Sequence, residues 1–192
     1  MRIIAGSAKG RVLAQPAGVT RPTSDRTREG IFSSLESEIG TCEGIAFLDL
    51  FGGTGAVGLE ALSRGAIEVV VVEKDEKAAA VCRANYELVS KSTSGKFSVI
   101  RKSVDSFLEL ESSKAPLRDV VYIDPPYEMT NDAIVKLLEK IILCGILASD
   151  AIVIVERSSR TEPFQWPPGL VALKERKYGE GAVYFALSAP SS

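Results

Sequence analysis

The chain has 192 residues, of which 45% are hydrophobic, with a mean hydropathy of +0.11 and a formal net charge of −2. That composition supports one packed core and excludes disordered and fibrous classes. No histidine is present, which excludes Ser-His and Cys-His dyads and any histidine general base and leaves carboxylates, lysine, tyrosine and binding geometry to carry chemistry.

Cys42, Cys82 and Cys144 lie far apart without C-x-x-C spacing, so neither a disulfide framework nor a zinc site is expected, and no metal is assigned. The longest strongly apolar stretch, 141–148, falls well short of the roughly 18 to 20 residues that span a bilayer. The opening Met1-Arg2-Ile3-Ile4-Ala5-Gly6 has no apolar signal core, so a cytoplasmic protein without membrane contact is expected.

Residues 1–28 carry six basic side chains (Arg2, Lys9, Arg11, Arg21, Arg26 and Arg28) against the single acidic Asp25, while the remainder holds 17 basic and 24 acidic residues. A basic arm on an acidic body suits a polyanion met at one end, because clustered Lys and Arg release counterions from phosphates, although a solvated surface arm has the same composition. Arg2-Ile3-Ile4-Ala5 and Arg11-Val12-Leu13-Ala14 are short strand candidates joined by a turn with two glycines, an N-terminal hairpin. After a loop over 15–22, Thr23, Ser24 or Asp25 can cap a helix with Ile31, Phe32 and Leu35 on its apolar stripe, ending near Glu38.

From Ile45 onward, strand-length apolar runs alternate with amphipathic stretches. Strands are predicted near 45–51, 69–73, 97–101, 119–123, 151–156, 170–175 and 182–187, and helices near 56–64, 75–89, 104–111 and 130–143. Runs such as Val69-Val70-Val71-Val72 are apolar on successive residues and need cover on both faces, as in a parallel sheet between helices. The expected fold is a doubly wound α/β sheet, Rossmann-like and mostly parallel, closed by a C-terminal antiparallel hairpin. The division expected is an N-terminal hairpin and arm over 1–22 and the Rossmann-like domain over 23–192.

The first strand runs into Asp49-Leu50-Phe51-Gly52-Gly53-Thr54-Gly55-Ala56-Val57-Gly58, in which Gly53, Gly55 and Gly58 spell G-x-G-x-x-G, with Glu73 at the tip of the second strand. Glycines let the backbone approach a ligand, and a carboxylate at the next tip can accept both hydrogen bonds of a ribose diol. Nicotinamide dinucleotides and S-adenosylmethionine are both held this way, and a packing role alone is a further possibility. Asp49 favours S-adenosylmethionine, since a carboxylate beside the turn repels a pyrophosphate and suits the ammonium of a methionine moiety. After the third strand, backbone N–H groups of Ser103 or Val104 can meet an adenine, while Asp105 reads equally as a helix cap.

Asp124-Pro125-Pro126-Tyr127 follows the apolar Val120-Val121-Tyr122-Ile123. The Asp124 carboxylate and the Pro125 carbonyl can each accept one hydrogen of an exocyclic amine, leaving its lone pair to attack a sulfonium methyl, with positioning more important than a strong base. The prolines stiffen the loop, and Tyr127 can stack on the base, a contact worth on the order of 1 to 3 kcal/mol. A strand stop with an Asp cap is the structural alternative.

These motifs together resemble the bacterial RsmD family of 16S ribosomal RNA guanine-N2 methyltransferases over nearly the whole chain. The matching segments are Gly6-Ser7-Ala8-Lys9-Gly10-Arg11, the run from Arg21 to Phe32, the run from Asp49 to Ala66, Asp124 to Tyr127, and Lys177-Tyr178-Gly179. The resemblance implies methyl transfer from S-adenosylmethionine to the N2 amine of one guanine in the small-subunit RNA, within an assembled or assembling particle, by a protein expected to be a monomer. By position, Asp124, Pro125, Pro126 and Tyr127 would form the catalytic loop, and Asp49, Gly52, Gly53, Thr54, Gly55, Glu73, Ser103 and Val104 would hold the cofactor. Thr23 and Arg26 would lie near its methionine end, where Arg26 could instead hold phosphate. Lys9, Arg11, Arg21, Arg28 and Lys177 are the RNA-binding candidates. Gly52 and Thr54 stand where the family often has Ala and Ser, and Ala182 where Thr is common. The competing readings are a DNA amino methyltransferase, a nicotinamide oxidoreductase and a non-catalytic RNA-binding assembly factor.

Overall fold

The computed structural model describes residues 1–15, 24–110 and 117–189. Helix α1 (Asp25–Ile39) starts where the Ser24 hydroxyl accepts the Thr27 N–H at 3.1 Å and stops at Gly40, whose φ of 81° suits glycine. Strands and helices then alternate: β1 (Ala46–Asp49), α2 (Ala56–Ser63), β2 (Glu68–Val72), α3 (Glu76–Val89), β3 (Lys96–Ile100), α4 (Val104–Leu110), β4 (Arg118–Ile123), α5 (Asn131–Leu143), β5 (Leu147–Ser158), β6 (Leu170–Tyr178) and β7 (Gly181–Ser188). None of the helices among the described residues is long and apolar enough to cross a membrane.

The seven strands form one sheet in the order β3-β2-β1-β4-β5-β7-β6, with β1 to β5 parallel and β7 antiparallel to both of its neighbours. The chain winds outward from β1 to β3 and then returns to β4 on the other side, which leaves a crevice where β1 and β4 end side by side. The final hairpin inserts its second strand into the sheet. In β7, Ala182 to Ala186 and Ser188 are buried, whereas β6 carries Lys174, Glu175, Arg176 and Lys177 and is largely exposed, as an edge strand should be. β5 begins at Leu147, earlier than expected, because a register shift between Arg118 and Val120 and a left-handed Asp150 (φ 60°) absorb the polar Ser149-Asp150 step.

Alternate strand residues divide between two cores. Phe47, Val69, Val71, Val120, Ile152 and Ile154 face α1, α2, α3 and the N-terminal hairpin, while Leu48, Val70, Val121, Val153 and Val155 face α4 and α5. Both faces of the parallel strands are therefore buried, the reason for their unbroken apolar runs.

The N-terminal hairpin has one antiparallel bridge, Arg2 with Val12, with backbone bonds such as Ile3 N–H to the Arg11 carbonyl (2.9 Å), and is also held by the body. Ile3, Ala8 and Leu13 are buried in the core shared with α1 and α2. The carboxylate of Glu60, fully buried on α2, accepts the N–H groups of Ile4 (2.8 Å) and Ala5 (3.0 Å), and Ser63 Oγ donates to the Ala5 carbonyl while accepting from Ala8 N–H. Glu60 also takes Arg64 Nε at 3.0 Å and pairs with Arg28 Nε at 3.6 Å. Arg28 in turn donates through Nη2 to the Arg2 carbonyl (2.5 Å) and to Asp25 (2.9 Å).

Arg28 is thus a correction to the phosphate candidates. It is fully buried and neutralised by Asp25 and Glu60, so its charge serves the anchorage of the hairpin rather than RNA. Replacing Glu60 by Ala would leave Arg28 with Asp25 alone and Arg64 with Glu36 alone and would strand two backbone donors, and a loss of about 3 to 5 kcal/mol in urea denaturation is expected. A loss under about 1 kcal/mol would show that the hairpin is held by its apolar contacts alone.

Candidate active site

The glycine loop between β1 and α2 is a closed hydrogen-bonded turn. Gly52 N–H donates to the Val72 carbonyl at 3.0 Å, Gly55 N–H to the Gly52 carbonyl at 2.7 Å, and Gly53 N–H to Glu73 Oε2 at 2.8 Å. Gly55 has φ of 78°, and a Cβ there would come within 2.4 Å of Cys82 Sγ; a Cβ at Gly52 would come within 2.0 Å of Val71 Cγ1. Glycine at position 52, where the family often has Ala, thus accompanies the tight approach of Val71 to the loop.

Glu73 serves the loop as well as facing the cleft, since its other oxygen accepts the Asp75 N–H at 2.7 Å. A carboxylate has about four lone-pair sites, so capacity for a ribose hydroxyl remains. Asn85, buried on α3, accepts Ala14 N–H at 2.7 Å and donates to the carbonyls of Ala14 (3.1 Å) and Thr54 (3.0 Å), tying the exit of the hairpin to the loop.

A cleft of about 700 Å³ opens above this loop, lined by Asp49, Gly52, Gly53, Thr54, Glu73 and Val104, with Asp124 to Tyr127 on its far wall. Ser103 does not line it. Its hydroxyl instead accepts the Ser106 N–H at 3.1 Å and caps α4, while Asp105, the other cap candidate, pairs with Lys140 at 2.7 Å.

Asp49 is 1% exposed, and neither carboxylate oxygen has a hydrogen-bond partner among the described residues. Burial, with Glu73 adding to it, pushes the Asp49 carboxyl up to about 7, and the nearby Gly58 amide offsets only part of this. An unpartnered buried carboxylate on a ligand cleft is an acceptor held ready for a donor or a cation.

A second cleft, of about 340 Å³, shares Asp124, Pro125 and Tyr127 with the first. The start of α1 (Ser24, Arg26, Thr27), the end of β5 (Glu156, Arg157, Ser158) and the final hairpin (Lys177, Tyr178, Gly181) complete it. Asp124, Pro125 and Tyr127 are therefore the shared lining, or partition, of the two clefts. The loop that carries them is fixed: Met129 N–H closes onto the Pro126 carbonyl at 3.0 Å, Arg157 Nη2 donates to the Met129 carbonyl at 2.7 Å, and Thr130 caps α5. Tyr127 is 72% exposed, its ring presented at the mouth.

Arg26 lines the second cleft, beside Asp124, and not the cleft above the glycine loop. Lys177 lines the same cleft, and the Tyr178 ring packs over Gly30 with its hydroxyl 3.2 Å from Ser34 Oγ. Lys9 and Arg11 are exposed on the hairpin, whereas Arg21 and Thr23 lie outside the described residues. Sequence reasoning missed Tyr122, Glu156 and Arg157. The signal was present, because Glu156-Arg157 interrupts an apolar strand at the same level as Asp124.

A family model described as "Conserved hypothetical protein 95" matches residues 1–187. The chain belongs to the RsmD family. Relatives include the Ribosomal RNA small subunit methyltransferase D of Haemophilus influenzae, 35% identical over 183 residues that cover 93% of this chain and 89% of the relative. The protein of the same name from Escherichia coli K12 is 34% identical over 172 residues, covering 86% and 81%. Among solved structures, a putative methyltransferase from Escherichia coli superposes with a TM-score of 0.82 at 29% identity, covering 100% of this chain and 99% of the other. A putative methylase from Haemophilus influenzae gives 0.76 at 31% identity, covering 97% of each. The fold is that of the S-adenosylmethionine-dependent methyltransferases.

The residues present fit that cofactor. Asp49 offers an unsatisfied buried carboxylate to a cationic ligand, which would be unsuited to a dinucleotide pyrophosphate, and Glu73 and Val104 bring a carboxylate that can accept from hydroxyls and an apolar surface to the same cleft.

The raised Asp49 pKa gives a signed pH test. The carboxyl titrates at about 3.8 in the unfolded chain and at about 7 in the folded protein, so between those values only the folded state keeps the proton. Its contribution to stability is therefore fully present below about pH 3.8 and is lost as pH rises through about 7. Asp49→Asn should stabilise the cofactor-free protein at about pH 8 by up to about 4 kcal/mol relative to its effect at about pH 4, while weakening S-adenosylmethionine binding at least about 10-fold. Urea denaturation at both pH values and calorimetric titration read the two effects; an Asp49→Asn variant with the wild-type pH profile would show that folding does not raise the Asp49 pKa.

Proposed function

We propose that this protein transfers a methyl group from S-adenosylmethionine to the exocyclic N2 amine of a guanine in small-subunit ribosomal RNA. The observation that carries the reading is the partition: Asp124, Pro125 and Tyr127 line both the cofactor cleft and the adjoining cleft, so an amine placed against them meets the cofactor from the opposite side. The relatives at 34 to 35% identity named as small-subunit ribosomal RNA methyltransferases support the RNA substrate. The donor-rich edge of guanine supports the choice of base, since the partition and the wall beside it present carboxylates.

When bound, S-adenosylmethionine supplies an electrophilic sulfonium methyl, which the N2 lone pair takes as the C–S bonding pair returns to sulfur. Asp124 and the Pro125 carbonyl accept the two amine hydrogens and hold the lone pair on line, a contribution of positioning rather than of strong base strength. The proton that N2 sheds passes to the Asp124 carboxylate or to water. Tyr127 stacks on the extruded base, and Arg157 holds the loop still by its bond to the Met129 carbonyl. Lys9, Arg11, Arg26 and Lys177 receive phosphates and set register without reading sequence.

Transfer of labelled methyl to unmodified small subunits and to their naked RNA, followed by nucleoside analysis, should yield N2-methylguanosine. Asp124→Ala should lower that yield at least about 10²-fold with cofactor affinity unchanged, and undiminished turnover would remove the mechanism. Reversing charge at Lys9 and Arg11 together should weaken RNA affinity, lower the salt dependence by about two phosphate contacts and spare cofactor binding. An unchanged salt slope would take the hairpin out of the RNA interface.

A further inference from the structure

We propose that Glu156 selects the acceptor base by accepting the N1–H of guanine while Asp124 holds its N2 amine; this rests on the guanine reading above. β4 and β5 are parallel neighbours with Ile123 opposite Val155, so the next residues along, Asp124 and Glu156, stand abreast at the strand ends. Both line the acceptor cleft. Glu156 shares a sheet face with Ile154, opposite Tyr122, and the Tyr122 hydroxyl donates to Glu156 Oε2 at 2.5 Å, fixing the carboxylate from below. Tyr122 itself is buried, with its pKa raised by that burial first and by the charge of Glu156 second, so it is held as a donor. Gly181 lies beside the second oxygen, since a Cβ there would be 3.4 Å from Glu156 Oε1.

Two carboxylates abreast match one nucleobase edge. Guanine presents adjacent N1–H and N2–H donors, whereas adenine and cytosine each place a ring nitrogen lone pair beside their amine, and a carboxylate facing that lone pair is repelled. Asp124-Pro125-Pro126-Tyr127 by itself serves any exocyclic amine; Glu156 supplies the discrimination that the tetrad lacks. The carboxylate can take both a tyrosine hydroxyl and a ring N–H, given its lone-pair capacity. Arg26, Arg157 and Lys177 surround this acidic floor with positive charge, which suits a base entering between its phosphates.

The test uses small-subunit RNA assembled into particles, with either guanosine or 2-aminopurine ribonucleoside at the position the wild-type enzyme modifies. 2-Aminopurine keeps the N2 amine but exposes a lone pair at N1. The wild type should favour guanosine by about 10²-fold in kcat/KM, because the analogue sets a lone pair against a carboxylate. Glu156→Gln, whose amide can donate to that lone pair, should reduce the preference to less than about 5-fold with cofactor affinity unchanged. Tyr122→Phe, which keeps the ring and removes the orienting hydroxyl, should reduce it by a smaller factor, and it decides the matter if the Gln variant does not fold. Equal losses on both substrates, leaving the preference at its wild-type value, would show that Glu156 only supports Tyr122 and would overturn the inference. Methylated product from the wild type that is not N2-methylguanosine would instead remove the guanine reading on which the inference stands.

Discussion

The parallel pairing of β1 with β4 is the constraint on which the site depends. Phe47, Leu48 and Asp49 lie opposite Val120, Val121 and Tyr122, and Leu50 N–H continues the ladder onto the Tyr122 carbonyl at 2.9 Å. Residues distant in sequence are thereby delivered to one edge, so the glycine loop and the Asp124 loop share a cleft although neither contains the other's signal. A slip of one residue would turn Asp49 and Tyr122 to the opposite core. The apolar packing on both faces, Phe47 and Val120 on one and Leu48 and Val121 on the other, makes that slip costly.

The N-terminal basic arm divides into two uses of charge that composition cannot separate. Arg28 is buried against Glu60 and Asp25 and works as an internal cross-link between α1, α2 and the hairpin. Lys9 and Arg11 are exposed on the hairpin that this cross-link holds, and Arg26, on the same helix as Arg28, turns toward the acceptor cleft. A helix turns about 100° per residue, so Arg26 and Arg28 point to opposite sides, one outward and one into the core. The arm's exposed positive charge is therefore smaller by one residue than the sequence count suggests, and Arg26 carries part of what remains to the cleft beside Asp124.

Most of the fold was legible because the pattern signals agreed with one another: the unbroken valines of β2, the Ser24 cap, and the glycines after β1 each point to the element that forms. The cofactor side was legible for the same reason, since Asp49, the glycine loop and Glu73 lie in strand-loop-helix units that are local in sequence. The acceptor side was only half legible. Asp124 to Tyr127 announce themselves as a run, but Glu156 and Arg157 owe their place to the β4–β5 register, and Gly181 to the insertion of β7 between β5 and β6. Arg28 failed as a surface residue because a guanidinium in a charged stretch gives no local sign of a carboxylate, Glu60, buried on the following helix.

The two clefts differ in the electrostatics they ask of a ligand. On the cofactor side the carboxylate is buried, unpartnered among the described residues and weakened toward neutrality, a state that a cation relieves. Across the partition the carboxylates of Asp124 and Glu156 line a cleft together with Arg26, Arg157 and Lys177, so opposite charges stand side by side there. A methyl group moving from a sulfonium to an amine removes the sulfonium charge from the first side, its ammonium retained, and releases a proton on the second. The ammonium that Asp49 attracts is common to the cofactor and its demethylated product, so the same buried carboxylate should hold both, and transfer removes only its longer-range attraction to the sulfonium charge. That attraction requires Asp49 to be ionised when the cofactor is bound, which ties the binding of one cation to the proton that burial otherwise keeps in place.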